Sequence, residues 1–228
     1  MNELYKNFNG EAPKIDPKDA VMLRIDPQCG LFPCMTEMDF KRVRDHAIAL
    51  AEAATLAGIP VITTASVPQG PNGPLIPEIH QAAPHAVYVP RRGEINSWDC
   101  PAFVEAVKKT GRKTLIIAGT VTSVCLAFPA ISAVRDGYKV FALPDASGTY
   151  SKMAEEISLA RMVQAGVIPM DTSSAIAEIQ QTWHRDDWEK WANIWARIFT
   201  NYGLLLESYA KAVEVTKTGE PMDSLRED

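Results

Sequence analysis

The amino-acid sequence predicts an α/β fold: a three-layer α-β-α domain with a six-stranded, mostly parallel sheet and a long C-terminal helix. Short apolar segments alternate with longer segments of helical periodicity along most of the chain. One apolar segment, TLIIAG at 114–119, shows no polar alternation, which is typical of a strand covered on both faces. The chain has 228 residues, of which 46% are hydrophobic, so it can bury a core of its own.

The first strand is predicted over Ala20 to Asp26, where the run AVMLRID ends in an acid and meets the loop Pro-Gln-Cys-Gly. Arg24 is the unexpected charge inside this run. A helix is predicted over 39–57, because apolar residues recur at intervals of four, three and four before Gly58. The remaining strands are predicted at 60–67, 87–90, 114–119, 138–146 and 167–170, and the remaining helices at 99–109, 123–136 and 153–165.

The C-terminal part carries an aromatic stripe at steps of three and four, which predicts one long helix with a coiled-coil-like seam. The stripe either packs on the domain's own core or joins copies of the chain, since it is rich in aromatic residues. Its members are Trp188, Trp191, Trp195, Ile198, Tyr202, Leu205, Tyr209 and Ala212.

Three segments are therefore predicted. Residues 1–18 are polar, contain two prolines and are expected to form an N-terminal arm outside the core. Residues 19–185 form the α/β domain. Residues 186–228 form a helical extension that packs on the same domain or on a neighbouring subunit.

Composition excludes several classes of partner. The 23 basic and 28 acidic residues give a net charge of −5, with no basic patch for a nucleic acid or a membrane surface. No signal peptide or membrane span is apparent. The four cysteines form no CxxC pair or zinc-ligand spacing, and free thiols favour a reducing compartment. We expect a cytoplasmic protein that acts on a small molecule.

Three polar residues follow predicted strands at the edge where parallel α/β sheets bind their ligands. Asp26 ends the first strand, Arg91 follows the third, and Cys125 begins the helix after the fourth. A cysteine in the first turn of a helix is favoured as a thiolate, and an aspartate can accept its proton. Alternatively, Cys125 is a small buried hydrophobe, Asp26 is a loop cap and Arg91 is a surface charge.

The segment IIAGTVTSVCLAFPAISAVRDGYKVFALPDASGTY, residues 116–150, resembles the signature of the isochorismatase-like cysteine hydrolases. QGPNGPLIPEI at 69–79, RRGEINSWD at 91–99 and VCLAFPAISA at 124–133 are similar to the YcaC-type branch in particular. The resemblance extends over about residues 18–185.

This resemblance implies Asp26 as the acid and base, Cys125 as the nucleophile and Arg91 where the wider family usually has lysine. Arginine stays protonated, so Asp26 would carry the proton transfer. The resemblance also implies a non-proline cis peptide at Val121-Thr122 and an oxyanion hole formed by the amides of Thr122 and Cys125. It further implies a homo-oligomer, an octamer or another even-numbered assembly.

Metal-binding nicotinamidases of the superfamily use an Asp-x-His pair and a further histidine. The chain does not reproduce that spacing, so we predict no metal and no cofactor. Its histidines, expected to be solvated or packing residues, are His46, His80, His85 and His184.

A pocket wall of aromatic and amide side chains would suit a small planar carboxamide. For Asn72 the alternative is turn chemistry, and for Trp98 it is core packing. The candidates for substrate binding are Gln28, Phe32, Asn72, Asn96 and Trp98.

The sequence thus predicts a cysteine-dependent hydrolase that cleaves a C–N bond of a small amide, carbamoyl or related compound through a thioester acyl-enzyme. Two alternatives stay open. One is the vinyl ether hydrolysis of isochorismatase, which does not rely on this cysteine. The other is a non-catalytic oligomeric scaffold whose thiol senses oxidants.

Overall fold

The computed structural model describes residues 13–219. Within them, six strands form one sheet in the order β3-β2-β1-β4-β5-β6, and every neighbouring pair is parallel. The predicted fold class is therefore confirmed. The strands are β1 (Ala20–Ile25), β2 (Val61–Ala65), β3 (Val87–Pro90), β4 (Thr114–Gly119), β5 (Lys139–Ala142) and β6 (Ile168–Pro169).

Helices cover both faces of the sheet. Helices α1, α6 and α7 contribute to the apolar cluster on one face, and α3, α4 and α5 contribute to the cluster on the other. Right-handed crossovers between parallel strands produce this three-layer arrangement. The helices are α1 (Phe40–Leu56), α2 (Pro77–Ala82), α3 (Pro101–Lys109), α4 (Ala127–Arg135), α5 (Lys152–Gln164), α6 (Thr172–Gln180), α7 (Trp188–Ile198) and α8 (Thr200–Thr218).

The central strand β1 shows why the sequence has an uninterrupted apolar run there. Ala20 and Met22 face the cluster beneath α1, whereas Val21, Leu23 and Ile25 face the cluster beneath α3 and α4. Successive side chains of a strand point to opposite faces, so both sets are buried.

The expectation that residues 1–18 stand outside the core is wrong for the part described. Ile15 is 1% exposed and belongs to the apolar cluster beneath α1. The Ile15 amide donates to a carboxylate oxygen of Glu178 on α6 at 2.7 Å. Both the side chain and the backbone of Ile15 are therefore bound to the domain. Residues 1–12 lie outside the described residues.

A long C-terminal helix is present as α8, but the aromatic stripe predicted on one helix is divided between α7 and α8. Phe199 adopts an extended conformation (φ −118°, ψ 91°) and stacks on Trp195, which separates α7 from α8. Trp191 and Ile198 are buried on the domain's own core, whereas Leu205 and Tyr209 on α8 are exposed. One part of the stripe therefore packs on the domain's own core, and contact of its exposed part with another copy of the chain stays a prediction. Residues 220–228 of the predicted extension lie outside the described residues.

None of the helices described between residues 13 and 219 is both long enough and apolar enough to cross a membrane.

Candidate active site

The three candidate catalytic side chains come together at the carboxyl edge of the sheet. Asp26 follows β1, Arg91 follows β3, and Cys125 follows β4. Strands β1 and β4 are neighbours although they are not consecutive in the chain, so the strand order reverses between them. A reversal of this kind opens the crevice in which open α/β sheets bind their ligands.

Arg91 reaches Asp26 across the whole width of β2. Because β3 lies two strands from β1, the side chains of Arg91 and Asp26 together have to span about 10 Å. Its Nε donates to Thr64 Oγ1 at 3.1 Å halfway along, and its Nη1 donates to the Glu94 carbonyl at 2.6 Å. Its Nη2 donates to Asp26 Oδ1 in a fully buried ion pair. These contacts fix a permanent positive charge beside the Asp26 carboxylate.

Asp26 is 1% exposed and has a φ of 55°, an uncommon conformation that aspartate tolerates. Its amide donates to the Thr64 carbonyl at 3.0 Å, which fixes the start of the loop. Burial raises the pKa of Asp26, while the Arg91 charge, the Arg91 hydrogen bond and an interaction with the Cys125 thiol oppose that rise. A carboxylate with a raised pKa is a better proton acceptor than an exposed one.

Gly119 determines where Cys125 lies. The segment Thr122–Leu126 forms a π turn, and Leu126 N donates to the Val121 carbonyl at 3.3 Å. A Cβ on Gly119 would overlap the backbone of Cys125 and come within 2.8 Å of Leu126 N. The turn can therefore pack on the end of β4 only because residue 119 is glycine. The helix predicted over 123–136 is regular only from Ala127, the start of α4.

Cys125 lies in the π turn that precedes α4 and not in the first turn of a regular α-helix, so its surroundings differ from the predicted ones. Burial is the largest cause that raises the pKa of Cys125 well above its ordinary value, and the charge and hydrogen bonding of Asp26 raise it further. The Arg91 charge and the Val121 amide only partly oppose this rise. The residue is partly exposed, so a small molecule can reach it, and both burial and the Asp26 carboxylate favour its neutral form.

Two backbone expectations for this loop are corrected. The non-proline cis peptide joins Thr120 to Val121 and not Val121 to Thr122. Thr122 already begins the π turn, so the bend falls one residue earlier. The Thr122 amide donates to the Gly148 carbonyl at 2.9 Å and cannot also bind an oxyanion. The Val121 amide, in contrast, interacts with the Cys125 sulfur.

Gln28 ties two loops together and is not free to bind a substrate, contrary to the prediction. It is fully buried, its Nε2 donates to the carbonyls of Ser66 (3.0 Å) and Gly73 (2.5 Å), and its Oε1 accepts from the Ser66 amide at 3.0 Å. Asn72 stabilises a turn, which is the alternative predicted for it from the sequence. Its Nδ2 donates to the Ser66 carbonyl, and its backbone carbonyl accepts from the Gly30 amide at 2.8 Å.

Asn96 and Trp98 form hydrogen bonds with α4 and its C-terminal end, and their contact with a substrate stays a prediction. Asn96 Oδ1 accepts from Trp98 N at 3.1 Å, and its Nδ2 donates to Ser132 Oγ at 3.1 Å. Trp98 is 6% exposed, and its Nε1 donates to Asp136 Oδ2 at 2.8 Å. The loop turns toward α4 because the indole is buried edge-on against Tyr138 in the core.

Phe32 is 3% exposed and belongs to an apolar cluster against which Val121 packs. It therefore lies behind the loop that carries Cys125. Its contact with a ligand stays a prediction.

The histidines do not converge. His46 Nδ1 pairs with Asp145 Oδ2 at 3.0 Å, His80 Nε2 lies 3.0 Å from Thr63 Oγ1, and His85 Nε2 lies 3.0 Å from the Ile59 carbonyl. His184 is exposed. Across residues 13–219, no group of three or more His, Cys, Asp or Glu side chains could hold a metal ion.

Two residues of the site were not predicted from the sequence: Thr64 supports Arg91, and Gly119 makes room for Cys125. Val121 was predicted at the cis peptide, but the interaction of its amide with the sulfur was not. A threonine near the end of β2 and a glycine at the end of β4 were available signals, because both precede the edge where ligands bind.

Comparison with known proteins gives a consistent result. A family model for the isochorismatase domain matches residues 20–174. The probable hydrolase YcaC of Escherichia coli (strain K12) is 39% identical over 196 residues, which are 86% of this chain and 94% of that protein.

Two solved structures share the architecture. E. coli YcaC, described as an octameric hydrolase of unknown specificity, superposes with a TM-score of 0.84 at 39% identity and covers 89% of this chain and 98% of its own. YcaC from Pseudomonas aeruginosa, solved with hexane-2,5-diol and covalent acrylamide, gives 0.82 at 40% identity and covers 86% and 97%.

Proposed function

The chain belongs to the isochorismatase family and is a hydrolase, and on that premise we propose that it cleaves the C–N bond of a small amide or carbamoyl compound through a thioester on Cys125. The observation that carries the proposal is the buried arrangement in which Asp26 lies between the Arg91 guanidinium and the Cys125 thiol. A thiol, a proton acceptor and a fixed cation within reach of one another form the machinery of nucleophilic catalysis.

In the first half-reaction, the Cys125 sulfur attacks the carbonyl carbon while its proton passes to Asp26. A tetrahedral oxyanion forms, and the amides of Val121 and Cys125 are the donors that we propose for it. The C–N bond then breaks, and the proton on Asp26 goes to the departing nitrogen. Ammonia or an amine leaves, and the acyl group stays on sulfur.

In the second half-reaction, Asp26 takes a proton from water as the oxygen attacks the thioester carbon. The C–S bond breaks, the acid product leaves, and the proton returns to sulfur. Proton transfer of this kind contributes about 10²- to 10⁴-fold to a rate. Arg91 carries no proton in this scheme, since it stays charged throughout.

The raised pKa of the thiol supports coupled proton transfer. A thiolate formed in advance would need a lowered pKa, whereas here burial and Asp26 both favour the neutral thiol. Asp26 therefore removes the proton as the S–C bond forms. The covalent acrylamide on P. aeruginosa YcaC is compatible with a reactive thiol, because acrylamide is a thiol-reactive electrophile.

We also propose a homo-oligomer in which α8 contacts a second copy. Leu204, Leu205 and Tyr209 are more than 60% exposed, and the similar YcaC of E. coli is octameric. A reducing, cytoplasmic setting is proposed because the cysteines, Cys29, Cys34, Cys100 and Cys125, are all free.

The proposed function is tested by ammonia release over a panel of small carboxamides and carbamoyl compounds. We expect at least one compound to be hydrolysed by the wild type and not by Cys125→Ala, whereas Cys34→Ala, which removes an exposed thiol, keeps full activity. Equal ammonia release by wild type and Cys125→Ala on every active compound would exclude Cys125 as the nucleophile. Pyruvate release from a vinyl ether by Cys125→Ala would favour the alternative isochorismatase reaction.

A further inference from the structure

Arg24 is a buried charge that has no partner for two of its nitrogens among residues 13–219. The residue is 1% exposed, and its Nε and Nη1 atoms form no hydrogen bond with any residue in that range. Among the side chains described between residues 13 and 219, no carboxylate forms an ion pair with it. Buried arginines are almost always paired, so this one requires an explanation.

The side chain lies in the interior of the sheet and not at its edge. Arg24 follows Met22 by two residues on β1, so it points to the face covered by α1. Its neighbours in register are Thr63 on β2 and Ala118 on β4. Both are short side chains, and neither accepts a hydrogen bond from the Nε or Nη1 of Arg24.

The nearby acids are already engaged. Asp26, two residues along the same strand, pairs with Arg91 and interacts with Cys125. Asp145, at the end of β5, pairs with His46 and accepts two bonds from the Thr172 amide. Neither carboxylate is available to neutralise Arg24.

The guanidinium also keeps its charge at neutral pH. Burial lowers the pKa of Arg24 only to about 10, so the group stays protonated under physiological conditions. Ordered water would satisfy the N–H groups but would leave the positive charge uncompensated in a low-dielectric interior. A counter-ion that is not part of the protein resolves both problems.

We propose that Arg24 binds a small monovalent anion of the chloride class in the layer between β1 and α1. The anion accepts hydrogen bonds from the unpartnered Nε and Nη1 and neutralises the buried charge. This site is separate from Cys125 and does not depend on the proposed function.

The direct test uses bromide as the probe. Crystals of the wild-type protein soaked in sodium bromide are measured at the bromine absorption edge. We expect an anomalous peak in contact with the Arg24 guanidinium. Water density or an empty space at that position, with bromide present only at the surface, would overturn the proposal.

The second test measures thermal stability from 5 to 500 mM sodium bromide, with sodium gluconate holding the ionic strength constant. When the bromide concentration rises from well below the Kd of the site to ten times that Kd, the wild-type Tm should rise by about 3–6 °C. Arg24→Met should lose this response, whereas Arg42→Met, which removes an exposed cation of α1, should keep it. An equal response of wild type and Arg24→Met would refute the site. If Arg24→Met does not fold, Arg24→Lys and the anomalous map decide.

Discussion

Replacing Asp26 by asparagine should change thiol reactivity and catalysis in opposite directions. The carboxylate charge and its hydrogen bonding raise the pKa of Cys125, whereas Arg91 lowers it. Asparagine removes the carboxylate charge that raises the pKa of Cys125 and leaves the Arg91 charge that lowers it, so a larger fraction of Cys125 is ionised near neutral pH. The same change removes the group that accepts and returns the proton during hydrolysis.

The size of the effect follows from Coulomb's law. Two charges about 4 Å apart in a medium of effective dielectric constant about 20 interact by about 4 kcal/mol, which corresponds to about a 10³-fold change in the thiolate population. The thiolate of a more acidic thiol is a weaker nucleophile. The same pKa change therefore lowers the intrinsic reactivity of each thiolate by about 30-fold. The net alkylation rate of Cys125 at pH 7 should therefore rise about 30-fold. Hydrolytic turnover should fall by about 10²- to 10⁴-fold.

The assay is iodoacetamide labelling from pH 6 to pH 10, followed by peptide mapping that separates Cys125 from Cys34. Cys34 is exposed and serves as the internal reference in each sample. Circular dichroism and a melting curve establish that Asp26→Asn is folded. A labelling rate at Cys125 that falls below the wild-type rate at pH 7 would refute the reasoning, because Asp26 would then activate the resting thiol.

Gly119→Ala should destabilise the protein by about 2–3 kcal/mol in urea unfolding and slow the alkylation of Cys125, because a Cβ at residue 119 meets the π turn. The control is Gly203→Ala, whose Cβ makes only ordinary contact in α8 and which should be neutral or slightly stabilising. Arg91→Met should cost about 3–5 kcal/mol in the same assay because it leaves a buried carboxylate unpaired, and a cost below 1 kcal/mol would contradict the buried pair. Trp98→Phe should lower Tm and leave KM unchanged, since the indole N–H binds α4; a raised KM at unchanged Tm would restore this residue to the pocket. Burial opposes ionisation of Asp171, but hydrogen bonds from two serines outweigh it and lower its pKa to about 2, so its stabilising effect is present above pH 4 and declines as the pH falls toward 2. Asp171→Ala should therefore cost about 1 kcal/mol at pH 7 and less at pH 2, and an equal cost at both pH values would contradict the role of its charge.

The sequence predicted the fold and the position of the three candidate side chains for a definite physical reason. The carboxyl ends of parallel strands meet at one edge, so residues that follow β1, β3 and β4 are brought together whatever the intervening sequence. Asp26, Arg91 and Cys125 depend only on this rule and on the strand boundaries.

The finer features depend on contacts between distant segments. The Thr122 amide is occupied by Gly148, which lies 26 residues along the chain, and no local pattern reveals that bond. Trp98 follows Arg91 in a loop, and the direction of that loop depends on contacts with Asp136, just after α4, and with Tyr138. A strand pattern places a loop at the edge of the sheet but does not determine which way its side chains turn.

The break between α7 and α8 could not be predicted from the sequence, for another reason. The apolar steps of three and four continue through Phe199 without interruption, so the sequence reads as one helix. The break depends on the backbone angles of Phe199, an aromatic residue that is common in helices and strands alike.

The central claim is that a covalent bond forms between Cys125 and the acyl group of the substrate. Rapid quenching of the wild type with a compound that releases ammonia, followed by intact-protein and peptide mass spectrometry, measures this bond directly. We predict a mass increase equal to the acyl group, located on Cys125, that hydroxylamine removes and that Cys125→Ala lacks. Undiminished ammonia release by Cys125→Ala, with no acyl adduct on the wild type, would contradict the account.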